Sequence, residues 1–161
     1  MEARLIALKL FLDELEVSAS IETIDDRKRV QKAVYLGQLT GVDLGYHFGW
    51  YLKGPYSSNL TKDYYELAEA IEMKDNDFEG KVLRQSIKEG LKKITPLLNP
   101  PKEIDLSQED WLELVASLHY LRKVSKQNEE KAHQTFQTEK PHLVLYLNQA
   151  KAKLQEVELL N

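Results

Sequence analysis

Cysteine is absent from the 161 residues, which excludes disulfides, thiolate catalysis and thiolate metal ligands and leaves imidazole and carboxylate chemistry open. Long apolar runs are missing too. Hydrophobic stretches are short and broken by charges, so neither a membrane-spanning helix nor a secretion signal is expected; a reducing, cytoplasmic location is. There is no tandem repeat at a solenoid period, and no Gly/Ser or acidic low-complexity tract that would mark a disordered tail. Nor is there an excess of positive charge. A formal net charge of -4 gives the whole molecule no electrostatic reason to wrap nucleic acid or coat an anionic membrane, while a local basic face stays open.

The composition, 42% hydrophobic and 30% charged, is ordinary for a folded chain and argues against global disorder. Its length suits one domain with a real core, or one domain carrying a packed helical extension.

Between Ala3 and Glu16, Leu5, Leu8, Leu12 and Leu15 fall on one helical stripe that Phe11 broadens. SASIET loosens that pattern, and Asp25 or Asp26 can cap a second helix through RKRVQKAVYLGQL, with Gly41 as its terminator. On that helix Val30, Ala33, Val34 and Gly37 cluster, which leaves Arg27, Lys28 and Gln31 nearer solvent. YHFGWYLKG has extended propensity and predicts one short strand or two; GPYSSN favours a turn. Leu60, Tyr64, Leu67, Ala68 and Ile71 predict a third helix, capped by Ser57, Ser58 or Thr61. A fourth is expected over 78–98, weakened by Gly80 and Gly90 and ended or bent at Pro96. NPPKEIDLS divides the chain into a core of residues 1–99 and a C-terminal helical extension of residues 100–161 packed on it. Ser107 and Asp110 cap a helix through Trp111, Leu114, Val115, Leu118 and Leu121; Glu129 to Thr138 form a shorter one, and a terminal helix runs from Pro141. The fold class is mainly α, with a short β element and packed C-terminal helices.

Five of the seven glycines and six of the eight tyrosines lie between Tyr35 and Tyr65. There RKRVQKAVYLGQL is followed by FGWYLKGPYSSNLTKDYYEL. The segment from Asp26 to Leu67 resembles the YwgA-like family of bacteria and archaea, through Arg29, Gln31, Lys32, Val34 and Tyr35 and then Tyr51, Gly54, Pro55 and Tyr56. It is similar, more distantly, to Panacea-type domains, the group that includes the SocA antitoxin. LELVASLHYLRK and the final helix add weaker support. The Gly-Pro-Tyr-Ser turn lies closer to the YwgA-like branch. The resemblance implies a winged-helix-like helical fold, with Lys53 to Tyr56 at a wing tip, and no established reaction.

Arg27, Lys28, Arg29 and Lys32 can meet a phosphate or a carboxylate partner, and their spacing equally suits a hydrated helix face. His47, Trp50, Tyr51, Tyr56, Tyr64 and Tyr65 can form a recognition surface or simply pack. Lys53, Gly54, Pro55 and Tyr56 make a conformationally sufficient turn with or without a ligand. Histidines 47, 119, 133 and 142 share no motif, Ser57 and Ser58 have no nucleophile-elbow context, and Glu129, Glu130 and Glu139 alternate with Lys131 and Lys140 as solvated helix charge. No catalytic residue, cofactor or metal is expected. The leading expectation is a non-enzymatic protein-interaction or regulatory adaptor domain, antitoxin-like in type. Its partner-binding residues would be Arg27, Lys28, Lys32, Tyr35, Tyr51, Lys53, Pro55 and Tyr56. The alternatives are a winged-helix-like regulator that binds DNA or RNA through phosphate contacts, and an enzyme with an unrecognised site. Another protein is the expected partner, a membrane is not, and homo-oligomerisation is open.

Overall fold

In the computed structural model, which describes residues 1–161, the stripe of Leu5, Leu8, Phe11 and Leu12 forms the buried face of α1 (Ala3–Glu14). The next helix, α2 (Ile24–Gln38), is capped by Thr23 rather than by either aspartate. The Thr23 hydroxyl accepts from the Asp26 amide at 3.0 Å and the Asp26 carboxylate accepts from the Thr23 amide at 3.2 Å. This reciprocal cap satisfies two donors that a helix start otherwise leaves free. Gly41, three residues past the end of α2, has φ +90°.

Two glutamines, one heptad apart on α2, then fix the chain that follows. Gln38 donates to the Tyr46 carbonyl at 3.0 Å and accepts from the Leu44 and Tyr46 amides, both at 3.2 Å. Gln31, which is buried, donates to the Ser57 carbonyl and accepts from the Ser57 amide, both at 2.9 Å. Side-chain amides that carry both donor and acceptor can replace a strand neighbour in this way.

Between these anchors β1 (Gly49–Tyr51) and β2 (Gly54–Tyr56) pair antiparallel, with Trp50 opposite Pro55 and Tyr51 opposite Gly54. The turn is therefore Leu52–Lys53, and Gly-Pro-Tyr, whose composition favours a turn, is strand. Closure by two residues makes Tyr51–Gly54 the hydrogen-bonded pair, so Pro55 sits at a position that needs no N–H toward β1 and its carbonyl faces away from the ladder. Gly54 has φ +94°, and a Cβ there would collide with Ser117 Oγ, which is buried without a hydrogen-bond partner. Gly54→Ala is expected to cost at least about 2 kcal/mol in urea unfolding, against about 1 kcal/mol for Gly41→Ala, where φ is similar but the space is open. Adding Ser117→Ala should recover part of the difference; equal costs at the two glycines would refute the clash.

The remaining elements are helical. α3 (Ser58–Glu72) is capped by Ser57, whose hydroxyl accepts from the Leu60 amide at 3.2 Å. α4 (Gln85–Lys92) is much shorter than the 78–98 expected: residues 73–84 are turn and coil, with Gly80 at φ +77°, and Pro96 lies in a 3-10 turn, Thr95–Leu97. The intrinsic cost of glycine overrides the apolar spacing there. α5 (Gln108–His119), capped by Ser107 at 3.2 Å from the Asp110 amide, is buried from Trp111 through His119 because α2, α7 (Leu147–Glu156) and β2 cover different sides of it. A π-helical turn, Tyr120–Val124, leads to α6 (Glu129–Glu139). α7 begins at Leu147, not at Pro141, after a 3-10 turn over Val144–Tyr146. The molecule is mainly α with one small antiparallel hairpin. Its buried apolar residues form a single cluster of 34 from Leu5 to Leu160, so the stretches before and after Pro100–Pro101 share one core. No helix is long and apolar enough to cross a membrane.

Candidate functional site

α2 carries its basic residues toward three different neighbours. Arg29 turns to the start of α5, where its guanidinium donates to Glu109 at 2.9 Å and to Asp26 at 3.1 Å. Lys28 is buried rather than solvent-facing: its ammonium donates to Asp110 and to Glu113, both at 2.7 Å. Glu113 is itself buried between helices and accepts from Lys140 at 2.7 Å, while Lys140 also donates to the Leu52 carbonyl in the hairpin turn at 3.1 Å. Lys140 thus belongs to the interior, not to the alternating surface charge that its sequence neighbours suggest. Its ammonium lies 5.4 Å from the centre of the Trp50 ring, within cation–π range. Burial pushes the Glu113 carboxyl up, but hydrogen bonds from Lys140 and Lys28 and their charge outweigh it and hold its pKa below the ordinary carboxylate range. For Lys28, burial pulls down and the contacts with Asp110 and Glu113 win, so it stays firmly protonated.

Lys32, one turn on from Lys28, has no carboxylate within ion-pair distance. It is 2% exposed, and its Nζ donates to the outward-facing Pro55 carbonyl at 2.5 Å. Burial drives its pKa down to about 7; Glu113 offsets this in part, and Lys140, Lys28 and Lys53 add to it. A cation at the edge of neutrality is thereby placed at the base of a cavity of about 260 Å³ formed by α2, the hairpin and α3. Arg27, Lys28, Lys32, Lys53 and Tyr56, five of the eight residues expected to bind a partner, line it together. Gln31, Thr61, Tyr64 and Tyr65 line it as well. Arg27 donates from one guanidinium nitrogen, Nη1, to the Ile21 carbonyl at 2.8 Å, and neither it nor the exposed Lys53 meets a carboxylate. Thr61 Oγ lies 2.6 Å from the Tyr56 hydroxyl and 3.3 Å from that of Tyr64, so three hydroxyls converge beside the four cations.

The other expected residues are placed differently. Pro55 is buried and acts through its carbonyl. Tyr51 is exposed and packs its ring edge-on to Tyr56, centroids 5.2 Å apart. Tyr35 is away from this face: it is buried, its hydroxyl 2.7 Å from His119 Nδ1 and its ring edge-on to Phe48. Burial holds His119 down to about 4, and Lys123 adds to this, so the imidazole of this pair is neutral at pH 7. Gln31, like Lys28, is a buried lining residue that periodicity misassigned to solvent. Glu113, which sets the charge behind the site, was hidden because it sits between Leu112 and Leu114 in an apolar run. No group of three or more histidines and carboxylates is arranged to hold a metal ion.

Tyr65 also lines a second, wider groove of about 950 Å³ between the α1–α2 connection and α3. Its charges are mainly acidic, Glu22, Glu69 and Glu72 against Lys9, and its apolar members include Ala19, Ile21 and Ile71. No protein-family model, curated protein or solved structure matches this chain.

Proposed function

We propose that the chain is a non-enzymatic interaction domain that docks an extended segment of another protein across the α2–α3 face. An acidic group of that segment sits in the basic pocket, and the neighbouring residues lie in the groove beyond Tyr65. The observation that carries this reading is the convergence of four cations and three hydroxyls on one open cavity whose lining holds no carboxylate. Binding surfaces join a fixing charge to rigid amphipathic rings, and the exposed Tyr65 and the half-buried Tyr56 supply such rings here. Leu52, 89% exposed at the hairpin tip, offers a further apolar contact. An antitoxin-like or adaptor role, the former suggested by the more distant likeness to Panacea-type domains, is one use of such docking. The nucleic-acid alternative has less support, because Lys28 and Arg29 of the basic helix are already matched by acids of α5.

A peptide array of acidic segments, read by fluorescence anisotropy of the hits, tests the reading. The double variant Arg27→Glu, Lys53→Glu should weaken binding at least about tenfold, with a loss that shrinks as salt rises. Unchanged affinity in that variant, or no segment bound by the wild type, would overturn it.

A further inference from the structure

The charges behind the pocket can be summed from the ion pairs. Lys28 and Lys140 are two cations, and Asp110 and Glu113, at 2.7 Å from them, are two anions. This quartet is neutral and contributes no net attraction. What remains facing the cavity is Arg27 and Lys53, two positive charges without carboxylate partners, and behind them Lys32, whose only partner is a peptide carbonyl. A carboxylate, with one negative charge, would leave this set under-neutralised. A phosphate monoester carries close to two charges at neutral pH and three oxygens that accept strong hydrogen bonds. Arg27, Lys53 and the Tyr56 and Tyr64 hydroxyls, which flank Thr61 Oγ, are the donors that such a group needs. A nucleic-acid backbone offers one charge per phosphate on a continuous strand, which suits an extended basic face more than a single local pocket.

We infer that the α2–hairpin–α3 pocket is a receptor for a phosphate monoester dianion, carried on a side chain of the docked segment. This rests on the docking reading above and names the group that enters. The acidic groove beyond Tyr65 adds a second feature of the partner: a basic residue close to the phosphorylated one.

The arrangement couples binding to a proton. The groups facing Lys32 are Lys28 from α2, Lys53 from the hairpin turn, Glu113 from α5 and Lys140 from the end of α6, with Tyr56 and Tyr64 across the cavity. Around it, Glu113 is kept ionised by two ammoniums, Lys28 is held protonated by Asp110 and Glu113, and burial pushes the Tyr64 phenol up. Lys32 is the group placed to change. An arriving dianion favours its ammonium, so above pH 7 it takes a proton from solvent as the phosphate binds.

Calorimetry at pH 8, in two buffers of different ionisation enthalpy, tests this with phenyl phosphate, a peptide bearing one phosphorylated residue beside arginine, and the same peptide with glutamate at that position. The expected result is saturable binding of both phosphates, tighter for the peptide, with uptake approaching one proton. Lys32→Met should lose at least about tenfold in affinity together with the proton uptake. Lys32→Arg, charged at every relevant pH, should bind without uptake, which separates the proton from the charge. If the glutamate peptide binds as well as the phosphopeptide and no proton is taken up, docking stands and this inference fails. If phenyl phosphate binds as tightly as the phosphopeptide, the receptor stands and docking along the groove fails. Binding indifferent to Lys32→Met, or no saturable binding of either phosphate, overturns the inference.

Discussion

Glu113→Gln is expected to destabilise the protein by about 3–5 kcal/mol at pH 7, the usual cost of leaving a buried charge without its partner. Glu113 is the only carboxylate within ion-pair distance of Lys140, and it shares Lys28 with Asp110. A glutamine there offers one neutral acceptor oxygen to two ammoniums and turns an NH2 donor on the other, so Lys140, whose side chain is 2% exposed, loses its only anion and keeps the Leu52 carbonyl. Urea unfolding gives the number. A second variant isolates the cause: Lys140→Met should be much less costly when combined with Glu113→Gln than in the wild type, since it then removes an orphaned ammonium. Additive costs would refute the coupling. The dependence on pH has a definite sign. The folded-state pKa of Glu113 lies below its ordinary value, so its contribution is complete above the unfolded value of 4.5 and disappears as pH falls through the folded one. The gap between wild type and Glu113→Gln should therefore narrow in acid. Because Lys140 also holds the hairpin turn, amides of residues 50–54 and 56 should exchange faster in the variant.

That network shows where the sequence could and could not be read. Apolar periodicity located α1, α3 and α5, since leucines spaced by three and four residues have one reasonable burial. It failed where glycine cost opposed it, at Gly80, and where a strand had turn composition, at Gly54–Tyr56. Helical spacing also placed Arg27, Lys28, Gln31 and Lys32 on neighbouring positions of one helix. It could not say what faces them, because that depends on carboxylates about 80 residues further along and on the hairpin's register. Lys28 and Lys32, adjacent on one face, consequently part company: one is a saturated structural cation, the other a buried lysine with a single carbonyl acceptor. Lys140 had no local signal at all, being one charge among alternating charges until α6 ends against α5.

Lys32→Met is expected to stabilise the fold by about 2–4 kcal/mol at pH 7 while weakening phosphate binding and removing its link to a proton. In the unfolded chain the lysine titrates at its ordinary 10.5, and in the folded protein at about 7. Between those values the unfolded state holds one more proton, so wild-type stability rises with pH by about 1.4 kcal/mol per unit. The penalty is complete below pH 7 and relieved as pH approaches 10.5. Methionine fills a similar volume without a charge to desolvate, and the gain is reduced by the Pro55 carbonyl, which loses its donor, by about 1–3 kcal/mol. Paired urea titrations at pH 7 and 9.5 check both parts: the advantage of Lys32→Met should shrink by about 3 kcal/mol across that interval. A variant that is less stable at pH 7, or an advantage independent of pH, would show that Lys32 is an ordinary structural lysine. The buried cation weakens its own fold, and a ligand that supplies the missing negative charge would relieve that strain. Stability forgone at one side chain is what a binding site built from a desolvated charge looks like before its ligand arrives.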